Sequence, residues 1–195
     1  MYPIDDVKEA LVTESQEALA RLRRLSGAMR WVAYGSAALL ATMLAVMLFL
    51  PGALEAGLDQ RGLRGTPPPE GPLTGAPRTI AAAALSAVFL LCISAVLSGA
   101  RLFELWREGE VFSERTALAV RRVGMRLLTF AAAALLATPV LTVALSWHAP
   151  PGERVLAINI DGAMLLAALT GGLLAAVGQA LRLGVEIERE NRSFV

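Results

Sequence analysis

"IAAAALSAVFLLCISAVLSGA", residues 80–100, contains no Asp, Glu, Lys or Arg. An α-helix needs about 20 apolar residues to cross the hydrocarbon core of a bilayer, so this stretch is long enough to span a membrane. Three further stretches, 31–50, 127–147 and 163–181, share its length and its lack of charge. Hydrophobic residues make up 55% of the chain and the mean hydropathy is +0.56, more than a soluble domain of this size carries. The sequence therefore predicts an all-α integral membrane protein, a four-helix bundle over 31–195.

Residues 1–30 precede the first span and differ from it, because charged and apolar residues alternate there with a helical period. We predict a cytoplasmic amphipathic helix that continues into the first span. It has no small-residue cleavage pattern, so we do not expect a removable signal peptide. The helix either packs on the cytoplasmic ends of the spans, lies in the membrane interface or binds a partner. Its apolar positions are Val7, Leu11, Ala18, Leu22, Leu25 and Met29.

The basic residues predict the orientation of the spans. Fourteen of the eighteen Lys and Arg residues precede the first span, join the second span to the third or follow the fourth, and only four lie in the other two loops. The positive-inside rule then places both termini in the cytoplasm. The abundance of Ala, Leu and Arg beside the single Lys8 indicates a GC-rich bacterial gene. We therefore expect a multi-pass protein of the bacterial cytoplasmic (inner) membrane.

The segment "LFELWREGEVFSERTALAVRRVG", residues 102–124, forms the corner between the second and third spans. We predict that the second helix ends at Gly109, since glycine tolerates a positive φ. Ser113 and Glu114 then provide a hydroxyl cap and a favourable charge for the next helix. The arginines of the corner either lie at lipid headgroup level or form part of a docking site. The candidate docking residues are Arg107, Gly109, Phe112, Arg121 and Arg122.

The two remaining loops contain turn-forming residues. The first, 51–79, includes "GTPPPEGP", which predicts a hairpin or linker without a long regular element, and Thr79 is a candidate cap of the second span. In the second loop, Leu156, Ile158 and Ile160 alternate with other residues, as in a short extended segment. Asp161 follows them, and we predict that it caps the fourth span.

The two halves of the chain show a weak internal similarity. "RWVAYGSAALLAT" (30–42) resembles "RLLTFAAAALLAT" (126–138), and "ELWREGEVF" (104–112) resembles "EIERENRSF" (186–194). Each unit contains two spans, so the two units would enter the membrane from the same side, as two tandem parallel repeats. Chance similarity is the alternative, because Ala and Leu are common.

The corner, together with the ending "GVEIERENRSFV", resembles the bacterial DUF2975 family of small proteins with four predicted spans. Gly109 and Phe112 match the Gly and Phe of the family's middle corner. The family's acidic tail contains a Glu-Glu-Asn motif, from which this chain departs because Arg189 interrupts it. The resemblance implies no catalytic residues, but it implies an association with small helix-turn-helix transcription regulators, which are encoded beside some members. The candidate docking residues of the tail are Glu188, Glu190, Asn191 and Phe194.

Several kinds of active site are not expected. His148 and Cys92 are the only His and Cys, so we predict no metal cluster, no Cys-His nucleophile and no cofactor. There is no phosphate-binding loop and no Gly-x-Ser-x-Gly motif. We expect neither enzymatic activity nor direct nucleic-acid binding.

Within the spans, no side chain is charged, although ion-coupled transporters usually place ionisable groups there. Pro139 predicts a kink in the third span. Small residues and an amide in the fourth span predict close helix packing. The packing candidates are Gly171, Gly172, Gly178 and Gln179.

Three functional hypotheses follow. The first is a non-enzymatic interaction or regulatory partner, which uses its cytoplasmic corner and tail to bind a helix-turn-helix transcription regulator or another membrane protein. The second is a small transport or channel subunit, a homodimer through the fourth span, with a path lined by Ser94, Thr138 or Gln179. The third is a lipid-modifying enzyme, and it is the least favoured because no nucleophile and base are paired in the sequence.

Overall fold

The computed structural model describes residues 4–60, 73–111, 113–147, 154 and 156–193, and of these the side chains of 4–15, 17–19 and 191–193 are not described. Every regular element in these ranges is a helix, and none is a strand. This confirms the all-α prediction. The helices are α1 (Ile4–Phe49), α2 (Ala53–Gln60), α3 (Ala76–Glu108), α4 (Glu114–Leu145) and α5 (Gly162–Ser193).

Four of these helices, α1, α3, α4 and α5, are long and apolar enough to cross a membrane. Their apolar segments are Ala20–Phe49, Ala76–Glu108, Glu114–Leu145 and Gly162–Glu190, which contain or closely overlap the four predicted stretches. The prediction of four helices that are long and apolar enough to span a membrane is confirmed. This is the architecture of a multi-pass membrane protein.

The long helices pack in the order α1, α3, α4, α5, and each contacts its neighbour over much of its length. Among the described residues, α1 and α5 make at most marginal contact with each other. The bundle is therefore a row, in which α3 and α4 are central and α1 and α5 each leave one side uncovered. We call the end that carries the α3–α4 corner, the start of α1 and the end of α5 the basic end, and the other end the opposite end.

α1 continues without a break from Ile4 through residue 30 to Phe49. The predicted continuation of the N-terminal helix into the first span is thus observed. The amphipathic character of residues 4–19 stays a prediction, since most of their side chains are not described.

The opposite end contains a small core that the sequence did not predict. Leu54 and Leu58 of α2 are buried, and they pack with α1, α3 and α4. Glu55 of α2 accepts a hydrogen bond from the backbone N–H of Leu73 at 3.3 Å. The first loop therefore begins with a packed helix instead of a plain hairpin, because Leu54 and Leu58, four residues apart, lie on one helical face. The core consists of Leu44, Met47, Leu54, Leu58, Ala81, Leu85, Phe89 and Leu141.

Of two predicted helix caps, Asp161 is observed and Thr79 is not. Asp161 caps α5, because its carboxylate accepts a hydrogen bond from the N–H of Met164 at 2.9 Å. Thr79 does not cap α3, which begins at Ala76 after Gly75 and has Pro77 in its first turn. Proline in the first turn needs no hydrogen-bond partner for its nitrogen, so the helix starts earlier than predicted. α4 passes through Pro139 without interruption.

Candidate functional site

The α3–α4 corner has the predicted backbone geometry at Gly109. This residue adopts φ 88°, and the N–H groups of Gly109 and Glu110 donate to the carbonyls of Trp106 and Leu105 at 3.1 Å each. These bonds satisfy the last carbonyls of α3, as in a Schellman ending. A Cβ added to Gly109 would lie 3.0 Å from Nη2 of Arg23, so α1 passes close beside the corner.

Ser113 starts α4 as predicted. Its Oγ accepts a hydrogen bond from the N–H of Thr116 at 3.1 Å, and Glu114 lies in the first turn. The buried Thr116 hydroxyl donates to the carbonyl of Glu110. The corner is therefore fixed by hydrogen bonds at both helix ends, and α3 and α4 leave it in defined directions.

A groove of about 400 Å³ lies at the basic end between the corner and α5. Its floor is apolar, and Ser113 and Glu188 stand at its polar edges. Glu114 and Arg189 form an ion pair of 3.5 Å across the two helices beside it. The structure thus joins the predicted corner and the predicted tail in one surface, which we call the corner groove. Its lining residues are Val111, Ser113, Ala117, Val177, Ala180, Leu181, Gly184, Val185 and Glu188.

Two of the predicted packing glycines lie against α4. A Cβ added to Gly178 would lie 2.5 Å from the backbone nitrogen of Arg121, and one added to Gly171 would lie 2.9 Å from the carbonyl oxygen of Gly124. On α4, Gly124 has no room for a Cβ either, since the nitrogen of Ala175 would be 2.4 Å away. The two helix backbones therefore touch, which only glycine allows.

The other two packing candidates lie elsewhere. Among the described residues, a Cβ added to Gly172 would have no neighbour within 4 Å, and Gln179 is exposed. Neither residue is buried, in contrast to Gly171 and Gly178. Successive helical residues are 100° apart around the axis, so Gly171 and Gly172 cannot both face α4. Ser94 lies on α3 and Gln179 on α5, with α4 packed between these helices, so the two do not line a shared path within one chain.

Two arginines at the basic end bind within the protein, which the sequence did not reveal. Arg30 of α1 forms an ion pair of 3.3 Å with Glu104 of α3, and its side chain is only 17% exposed. Arg126 of α4 donates to the carbonyl of Ser94 of α3 at 2.8 Å. The partners meet because of the way neighbouring helices are aligned along their axes. The separation of two residues along the sequence does not predict that alignment.

The remaining predicted residues have simpler surroundings. Arg107, Arg121 and Arg122 are exposed around the corner, and Glu188 and Glu190 are exposed on α5. Asn191 lies in the last turns of α5, where side chains are not described. Phe112 and Phe194 lie outside the described residues. The docking role of all these residues stays a prediction.

Comparison with known proteins identifies a family that the chain matches. The model of a protein family of unknown function, DUF2975, matches residues 63–193, which include α3, α4 and α5. The match begins after α1 and α2 and contains the corner groove. No curated protein and no solved structure matches the chain.

Proposed function

The chain belongs to the DUF2975 family, whose function is unknown, and we propose that it is an inner-membrane docking partner without enzymatic activity of its own. The corner groove is the docking site in this proposal. The observation that carries it is the joining of two separate segments, the corner and the end of α5, around one apolar groove with a charged border.

The proposed location of the groove is the cytoplasmic face of the membrane, since Val177, Ala180 and Leu181 of its lining lie at the end of the span 163–181. The helix ends at the basic end carry fourteen of the eighteen Lys and Arg residues of the chain. Such an excess favours the cytoplasmic side of a bacterial membrane. A docking site there is accessible to soluble cytoplasmic proteins.

The proposed ligand of the groove is an amphipathic helix of a cytoplasmic regulator. Apolar anchors of such a helix would fill the floor around Ala117 and Leu181, as in other helix-in-groove complexes. Arg107, Arg121 and Arg122 around the corner would attract acidic residues on the edges of that helix. A helix-turn-helix transcription regulator has helices of this kind, and the resemblance noted from the sequence supports it as the partner.

Site-specific photo-crosslinking in intact cells tests the docking site. Gly184 lines the groove, and no described residue lies within 4 Å of a Cβ added there, so a photoreactive amino acid fits at this position. Leu183 is the matched control, since it is 51% exposed and does not line the groove. We expect position 184, and not position 183, to capture a soluble regulator, identified by mass spectrometry.

A chain that lacks residues 186–195, or that carries replacements of both Gly109 and Phe112, should lose this adduct while still reaching the membrane. Equal capture at positions 183 and 184 would contradict the docking site. Capture of further copies of this chain alone would favour the second hypothesis, a self-assembling transport or channel subunit.

A further inference from the structure

One face of α1 carries an apolar stripe that none of the other described helices covers. Its residues follow each other at alternating intervals of three and four, and most are strongly exposed, with Leu25 at 61%, Val32 at 60% and Leu39 at 70%. A different face of α1, which includes the buried Ala33 and Ala37, packs on α3. We call the exposed stripe the α1 seam, and it consists of Leu22, Leu25, Met29, Val32, Ser36, Leu39, Met43 and Val46.

The α1 seam extends beyond the apolar part of the protein. The ion pair between Arg30 and Glu104 fixes the height of α1 relative to α3. From there α3 continues for four residues to Glu108 and α1 continues for 26 residues back to Ile4. At a rise of 1.5 Å per residue, α1 projects about 33 Å past the end of α3.

Lipid tails cannot cover the projecting part of the seam. Leu22 and Leu25 lie in the same turn as Arg21, Arg23 and Arg24, whose charges require water or headgroups. The three-four spacing also continues in the sequence through Leu11, Ser15 and Ala18. Most helical stability in proteins comes from packing of an apolar face, so the projecting part of α1 needs a surface to pack against.

We propose that the α1 seam is the interface with a second copy of this chain, paired in a parallel coiled coil. Alternating intervals of three and four are those of a left-handed two-helix coiled coil. Two copies inserted in the same orientation place identical seams side by side at the same depth. A second α1 therefore matches the seam in both water and lipid, whereas a soluble partner matches only the projecting part.

The side chains of the seam agree with such pairing. None of the eight seam residues is charged, so symmetric pairing of two seams brings no like charges of these residues together. Ser36 is its single polar member, and its hydroxyl donates to the carbonyl of Val32 at 2.8 Å, which leaves it satisfied at a helix contact. The pairing does not depend on what occupies the corner groove, since α1 does not line that groove.

Disulfide crosslinking in native membranes tests this interface. In a Cys92→Ser background, Leu25→Cys lies on the seam, and Arg24→Cys is its exposed control about 100° away around the helix. Leu39→Cys and Ala38→Cys form a second pair inside the apolar segment. A disulfide needs Cα atoms about 5–6 Å apart, so after oxidation we expect at least about fivefold more covalent dimer from each seam variant than from its control.

Equal dimer yields within each pair would show random collision and overturn the proposal. A covalent product at only one seam position, or with a different protein, would also overturn it. All four positions are exposed in the single chain, so the substitutions leave its own packing intact. As a second readout, Leu25→Glu together with Met29→Glu should lower the dimer yield of Leu39→Cys severalfold.

Discussion

The face of α4 that packs on α3 consists of side chains, and its Val120 and Val123 are buried there with Leu102. The face of α4 that packs on α5 instead carries Gly124 and the backbone of Arg121. The first contact consists of interlocking side chains. The second consists of backbones that touch at glycines. Lipid tails are as apolar as leucine, so helices in a membrane associate through close packing more than through hydrophobic burial. Added volume at the α4–α5 contact should therefore lower the free energy of unfolding more than lost volume at the α3–α4 contact.

The largest expected effect is that of Gly178→Ala, which breaks the α4–α5 contact. The new Cβ would lie 2.5 Å from the nitrogen and 2.8 Å from the Cα of Arg121, and two helix backbones must separate to admit it. We expect a loss of about 3 kcal/mol in the free energy of unfolding. It can be measured by SDS titration in mixed micelles, followed by circular dichroism.

Gly172→Ala is the matched control for this prediction. A Cβ at Gly172 meets no atom of the described part of the chain within 4 Å, and alanine favours helix, so stability should stay unchanged or rise by less than about 1 kcal/mol. Similar losses for Gly172 and Gly178 would show that the two backbones do not touch as described.

Leu102→Ala breaks the α3–α4 contact by loss of volume. Leu102 is 6% exposed among Ala119, Val120 and Val123, and its truncation leaves a cavity. We expect a loss of about 2 kcal/mol in the same unfolding measurement. Leu90→Ala, at a position that is 58% exposed on the same helix, should cost less than about 0.5 kcal/mol. A larger cost at Leu90 would show that the buried face of α3 is not the one described.

Gly109→Ala tests whether the corner contributes to the α3–α4 contact. A Cβ at φ 88° strains the backbone, so we expect a loss of about 1–2 kcal/mol in the free energy of unfolding. Gly99→Ala, inside α3 and in open space, should instead raise stability by up to about 1 kcal/mol. Opposite signs at the two glycines are the result to look for.

The smallest expected effects compare two serines. Ser113→Ala removes the cap of α4 and should cost about 1 kcal/mol. Ser26 of α1 is 2% exposed, and its hydroxyl has no hydrogen-bond partner among the described residues. Ser26→Ala should leave the unfolding free energy unchanged or raise it slightly, by less than about 0.5 kcal/mol, because no bond is lost. A clear loss at Ser26 would reveal a partner for its hydroxyl.

The internal similarity of the two halves stays a prediction. At corresponding positions, Gly109 ends α3 in a left-handed conformation, whereas α5 continues through Asn191 to Ser193. Arg30 and Arg126 also correspond, and both bind α3, although the repeat would pair Arg126 with α5. If the halves share an origin, their ends have diverged.

The sequence by itself determined the features that depend on one helix at a time. Charge-free stretches of about 20 residues set the four spans, and Gly109, Ser113 and Asp161 set helix ends. These features are predictable because hydropathy and capping involve residues that are close along the chain. The start of α3 at Ala76 was also predictable from neighbouring residues, because Pro77 in the sequence indicates the first turn of a helix.

Only the tertiary structure decided which face of each helix meets a neighbour. It selected Gly171 and Gly178 over Gly172 and Gln179, paired Arg30 with Glu104, and joined the corner to the end of α5. A helix register that shifts by one residue rotates its contact face by 100°, and nothing local in the sequence fixes that rotation. The physical reason is that packing between helices depends on the shapes of both surfaces at once.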